Sequence, residues 1–547
     1  MRFRTFPTLM ILLLGGCRGP GPSGAGSPSQ GREVIHAEVW VDAAWWRPGD
    51  GSRERPLRSL AEALARPGPL TVHLAAGEYR GPFMLPADVR LEGEGPGTVL
   101  LMEGPEGTVL RATGPMGGSP GNPGAEGPEA GSLPTTSEQA VPSSRTADPK
   151  SLPPAVGTGG VLLRNLEVRG GTWGLEVTGS GRVFVEKVGF SGQRQGAVRV
   201  TSGRFEAVDA RFEASVSETV GVLLEAPEGV PSPSPSRSTW LRGTSFTGPF
   251  RRAVRVRGAE SRALLEDLRF VGPVTALGMD GGHAEVRRSQ AEAGRGAAFS
   301  VVEGSLVLED VRVLGHELAV SAMRVQRLEV RGLLSVGAER AGLAVVASRG
   351  VLLEEVVVRG SGSHGALQLT GSEVDARRIH VEGAAEYGVV VVGGSLRLRD
   401  GTVVGVRSAD GVTGDGLHLR QVRADVEGVV IRQTTGACVL AAQNARVLLR
   451  DAELERCGQA ALLVDTFATL EATGVEARDS GETVLAAMGD GDLRVDALHA
   501  RGSRQGFIWA ECTGVTRVRL GRIRSEDRRG EEAACVERIA EPRTAPR

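Results

Sequence analysis

Two carboxylates, an imidazole and several glycines crowd into SADGVTGDGLH, residues 408–418. Asp410, Asp415 and His418 are candidate ligands here for a hard cation such as Ca²⁺, since oxygen donors on glycine turns can close around one ion. A complete site would need further oxygens. Ser363-His364-Gly365 places a second histidine between small residues, but no carboxylate stands near it in sequence to complete an acid–base pair. Four cysteines lie beyond Cys17: Cys438, Cys457, Cys512 and Cys535. They form no CxxC or Cys/His cluster, so zinc is not expected. Nothing else in the chain asks for a cofactor.

These residues must be positioned by a repeat of about 22 residues that runs from Val161 to the C-terminus. Its copies begin at Val161, Val183, Phe205, Thr239, Ala263, Ala284, Leu306, Leu328, Val351, Val374, Leu396, Ala424, Val447, Leu470, Leu493 and Val518, with apolar residues at offsets 0, 2, 5 and 7 in most. Offsets 0 and 2 follow strand alternation, and the step from 2 to 5 breaks it, so the chain must turn between two short strands. Offset 4 is Gly, Asn or Asp in ten of the sixteen copies, the residues that accept a positive φ at least cost. A third strand follows in segments such as GLEVTGSG from Gly174 and GVVVVGGS from Gly388. Three strands per coil predict an all-β, right-handed parallel β-helix, in which stacking coils bury what one coil cannot. A leucine-rich repeat would need a recurring Asn, and the whole chain has three. Phe190, Phe212, Phe246 and Phe270 occupy offset 7 in four successive copies and are expected to stack inside the core.

The repeat gives the cysteines a geometry. Cys512 and Cys535 are 23 residues apart, about one coil, and Cys438 and Cys457 are 19 apart. Neighbouring strands about 4.8 Å apart can be bridged, so two disulfides are expected, with free thiols as the alternative.

Residues 1–16 read as a secretory signal: Arg2 and Arg4 precede a short apolar run, Leu9–Leu14. Leu14-Gly15-Gly16-Cys17 resembles the lipobox of bacterial lipoproteins, which implies diacylation of Cys17 and a membrane partner through that anchor. Arg18 departs from the Asp of inner-membrane retention, so the resemblance implies an outer-membrane address. Residues 17–33 form a flexible Gly/Pro/Ser tether. Residues 34–113 hold the first coils and a short helix, with Pro56 in its first turn and Leu57, Leu60, Ala61 and Leu64 on one face. The order of VWVD, GDGS, helix and AGEY in this stretch resembles the start of pectate-lyase-like β-helix proteins. Residues 114–159 are too poor in apolar residues to build a core and read as a disordered insertion; 160–540 is the main β-helix and 541–547 a disordered tail.

That resemblance invites a polysaccharide lyase or glycoside hydrolase. Pectate lyases carry a carboxylate cluster for Ca²⁺ with a basic residue, and polygalacturonase-like enzymes carry NTDG, GHG and RIK motifs, none of which occurs here. Aromatic residues are only 4% of the chain, a poor supply of sugar-stacking platforms. Net charge is −2, with no basic face for nucleic acid. The expectation is therefore a lipid-anchored, non-catalytic envelope protein that displays a long surface to a polysaccharide or an envelope protein. A polysaccharide-active enzyme is the first alternative and a structural spacer the second.

Overall fold

The structure is a computed structural model that describes residues 36–102, 104, 106–114, 160–179, 181–226, 236–408, 411 and 413–539. Cys17, the tether, the body of the 114–159 insertion and the tail lie outside these residues. Residues His36–Arg547 make up one compact unit. Its described part is a parallel β-helix of about 17 turns, with about 23 residues per coil.

Each coil contributes to three faces, and every strand pairs in parallel with its counterpart one coil on. On the first face the register runs Val161↔Val183, Val183↔Phe205 and Phe205↔Thr239, and continues without a slip to Leu470↔Leu493 and Leu493↔Val518. The sixteen copies read from the sequence therefore stack rung on rung. One further rung, Val518↔Val536, follows them. The first-face strand at Val89–Gly93 pairs directly with that at Gly160–Arg169, so the described coils before and after the 114–159 segment are in register.

Alternation sorts the side chains as a half-buried strand requires. Leu353 and Leu449 at offset 2 are sealed in the core, whereas Leu352 is half-buried and Leu448 is 44% exposed. The four phenylalanines at offset 7 are buried, with successive ring centroids 5.0, 4.6 and 5.2 Å apart. Stacking at the rung spacing lets flat rings fill the interior without voids.

The corner at offset 4 is left-handed in every copy from Val161 to Leu493. The ten Gly, Asn and Asp residues have φ between 52° and 69°, and Lys187, Arg288, Glu355, Arg378 and Ala497 adopt the same conformation at 47–55°. Coil stacking thus overrides the local cost of an L-residue there, roughly 1–2 kcal/mol.

The N-terminal helix is shorter than the sequence pattern implies. It spans Leu60–Leu64, with Ser59 as N-cap accepting the Glu62 N–H at 3.3 Å. Pro56 precedes it, Leu57 is taken into a parallel bridge with Val41, and the buried face is Leu60, Ala63 and Leu64, leaving Ala61 exposed. The bridge holds Leu57 in extended backbone, so the helix starts three residues later and its inward face rotates. Tyr79 closes the first coil: its buried hydroxyl lies 2.8 Å from the Ala75 carbonyl and 3.1 Å from that of Val41, and burial pushes its pKa up to about 12.

Candidate functional site

The outward rows of the first face are rich in arginine and carboxylate side chains. In a parallel, in-register stack, one residue type repeated on every rung would place like charges about 4.8 Å apart. Along one stretch of offset 3 the chain avoids this: Arg242, Glu266, Arg287, Glu309, Arg331, Glu354 and Arg377 alternate on successive rungs, before Arg377 meets Arg399. Arg287 reaches Glu309 at 3.1 Å and Glu266 at 3.8 Å; Arg331 reaches Glu309 at 3.4 Å and Glu354 at 3.8 Å. The alternation is visible in the sequence once the repeat is aligned, but only if the outward offsets are read as carefully as the inward ones.

Further along the same face a groove of about 850 Å³ runs from Gly350 to Glu471. Its acids include Asp375, held by Arg377 and Arg397 at 3.4 Å each, and Asp425, held by Arg450 at 2.6 Å. One row of this groove stacks arginine on arginine with no carboxylate between them. Ser395, Arg423, Arg446 and Thr469 stand on successive rungs, and the two arginine side chains have no ion-pair or hydrogen-bond partner among the described residues. Two exposed guanidinium groups thus stack side by side in the middle of the groove, with Glu373 and Glu471 toward its ends. Adjacent like charges on paired strands are unfavourable, and an anion between them would reverse the sign. Exposed Leu448 supplies apolar surface beside them.

The residues singled out from the 408–418 loop are placed differently. Asp410 lies outside the described residues. Asp415 and His418 come together on the third face, with Oδ2 of Asp415 2.7 Å from Nδ1 of His418. The other Asp415 oxygen accepts the Ala437 N–H of the next coil at 2.7 Å. Tyr387 packs edge-on against the imidazole, 4.8 Å between centroids. Both oxygens of Asp415 are therefore engaged within the protein, and the pair is an oriented imidazole rather than an open oxygen cage. Among the described residues, no group of three or more His, Cys, Asp or Glu side chains is arranged to hold a metal ion.

His364 sits at the surface, between Ser363 Oγ at 2.9 Å and the Arg340 guanidinium at 3.3 Å. The offset-4 aspartates serve the corners; Asp267 also receives both arms of Arg288 at 2.8 and 3.0 Å, which lowers its pKa. Cys438 and Cys457 are bonded across two coils inside the core, with Cα atoms 5.2 Å apart. Cys512 and Cys535 are bonded near the C-terminal end, with Cα atoms 5.3 Å apart.

No protein-family model matches the chain, and no curated protein matches it. Among solved structures it is similar to pectin methylesterase PemA from Erwinia chrysanthemi, at 11% identity over 47% of this chain and 79% of that one, TM-score 0.28. It is similar also to the PL6-family alginate lyase AlyGC, at 8% identity over 92% and 99% of the two chains, TM-score 0.26. A chain of the Vag8–C1 inhibitor complex gives 15% identity over 83% and 94%, TM-score 0.31. The parallel β-helix rests on the hydrogen-bond register above, and likenesses this distant add nothing about a ligand or a reaction.

Proposed function

We propose that the chain is a lipid-anchored protein of the bacterial cell envelope that binds an anionic polymer, an acidic glycan before an acidic protein segment, along the first-face groove without cleaving it. The observation that carries this reading is the unpaired Arg423–Arg446 stack. The stacked pairs Arg182–Arg204 and Arg377–Arg399 of the same face each have carboxylate partners. This pair has none among the described residues, and it lies in the middle of a groove, flanked by hydroxyls of Ser395 and Thr469. The nearby carboxylates of Asp375 and Asp425 are committed to guanidinium partners. Glu373 and Glu471, which have no ion pair among the described residues, lie four rungs apart toward opposite ends of the groove; this suits a binding surface better than paired acid–base work. Anchoring would come from acylation of Cys17, with the outer membrane as its address and the Gly/Pro/Ser tether as spacer.

The test is binding of polygalacturonate and alginate by calorimetry, together with assays for cleavage. Binding that weakens with salt and falls about tenfold or more in Arg423→Glu/Arg446→Glu is expected, with neither an unsaturated, ultraviolet-absorbing product nor new reducing ends. Binding unchanged in that variant defeats the reading. Product formation that is lost in Asp415→Asn or His418→Gln would establish the alternative, a lyase or glycoside hydrolase, for which the Asp415-oriented imidazole is the supporting observation. For the anchor, labelling with a palmitate analogue should mark the protein, and Cys17→Ser should abolish it.

A further inference from the structure

The third face of the last coils carries a second groove, of different chemistry. Outward positions there should be polar, yet His418, Leu440, Leu463, Ala486 and Trp509 stand in one register row over five rungs, roughly 19 Å at the usual strand spacing. Leu463, Ala486, Ala437 and Ala460 form an apolar cluster separate from the main core. A cavity of about 260 Å³ opens over Ala460, Leu463 and Ala486, with Trp509, 48% exposed, at one end. Its rim is a second ladder: Gln459, Glu482 and Gln505 precede Ala460, Thr483 and Gly506, which are register partners, so one polar side chain is offered per rung. None of these three side chains has a hydrogen-bond partner among the described residues.

We infer that this groove is a binding site for an uncharged saccharide, separate from the first-face groove and independent of the reading given to it. The occupant follows from what the surface offers. Main-chain N–H and C=O groups of these strands are spent between coils, so an extended peptide cannot add as a further strand and would meet side chains only. What remains is an indole face, a shallow apolar floor, two amides and one carboxylate. An indole face takes the C–H side of a pyranose ring, and unpaired amides donate to and accept from its hydroxyls. No basic residue lines the cavity and Glu482 stands on its rim, so an acidic sugar is disfavoured by charge. The floor has room for a single ring, and the ladder repeats along the direction a glycan chain would take.

The experiment is an array of uncharged and uronic-acid oligosaccharides probed with the full chain, followed by titration of each hit with tryptophan fluorescence as readout. At least one uncharged oligosaccharide is expected to bind and to change the emission, and no uronic-acid oligomer should do so through this site. Trp509→Ala should abolish the fluorescence change and weaken binding at least tenfold, and Gln459→Ala/Gln505→Ala should weaken it several-fold. Trp509→Phe should restore part of the affinity, which separates loss of the ring from misfolding. Arg423→Glu/Arg446→Glu should leave this binding unchanged, so failure of one groove is distinguishable from failure of the other. Binding of no uncharged sugar, or binding that survives Trp509→Ala, overturns the assignment, as does a hit confined to acidic oligomers.

Discussion

Leu353 offers a direct test of the register, because its neighbour in sequence supplies the control. It is fully buried and packs rung on rung between Val330 and Ala376, while Leu352, one residue earlier, faces outward and is half-buried. Leu353→Ala removes three carbons from the interior, about 2.4 kcal/mol of transfer free energy at roughly 0.8 per methylene. The cavity left behind adds to this, giving about 2–5 kcal/mol in all. The upper half of that range is expected. Val330 and Ala376 are smaller than leucine, and the hydrogen bonds above and below them prevent the coils from closing the gap. Leu352→Ala should cost less than about 1 kcal/mol. Because a solenoid's stability is a sum over coils and their interfaces, the loss should appear first as unfolding of the coils around Leu353. Urea titration followed by far-ultraviolet circular dichroism, with hydrogen exchange to locate the opened coils, measures both. Equal losses for the two alanines would refute the assignment of inward and outward offsets.

Ala497 is held at φ 53°, where the equivalent corners in ten other copies use Gly, Asn or Asp. Ala497→Gly should therefore stabilise the C-terminal coils by about 0.5–1 kcal/mol, read as a rise in the urea midpoint; a fall would show that the corner is not strained. His316 is fully buried, with its Nδ1 3.3 Å from the Gly296 carbonyl, and burial lowers its pKa below the ordinary 6.5 while that carbonyl opposes the shift. The unfolded chain then takes up a proton before the folded one does. Stability is full above pH 6.5 and falls as pH drops from there toward the lowered value, by at most about 1.4 kcal/mol per pH unit. His316→Gln should flatten that part of the profile, and parallel curves for the two proteins would refute the linkage.

The inward half of the fold was legible in the sequence because burial imposes one requirement on every rung. Val, Leu and Phe at offsets 0, 2, 5 and 7 can satisfy it in only one register, and a one-residue slip would turn each of them outward. The outward half was not legible in the same way. Arg423 and Arg446 look like any other arginines of an Arg-rich chain until their neighbours on adjacent coils, 22 or more residues away, are seen to be anything but carboxylates. Trp509 was hidden similarly: a lone tryptophan gains meaning only beside Leu463 and Ala486, which reach it through two coils. Asp415 and His418 were found in one loop, but their pairing and the bond to Ala437 depend on the third face that the loop enters. The helix near Leu60 was displaced because a bridge to Val41, remote in sequence, claimed Leu57.

The alternating charges at offset 3 also bear on how such a chain can change length. From Arg242 to Arg377 the pattern has a period of two coils, although the backbone has a period of one. Deleting the coil that carries Glu309 would seat Arg287 directly on Arg331, and duplicating it would seat glutamate on glutamate. Removing or adding coils in pairs leaves every contact between opposite charges. Geometry permits growth by single steps, but electrostatics favours even ones, so this stretch carries a parity that its backbone does not.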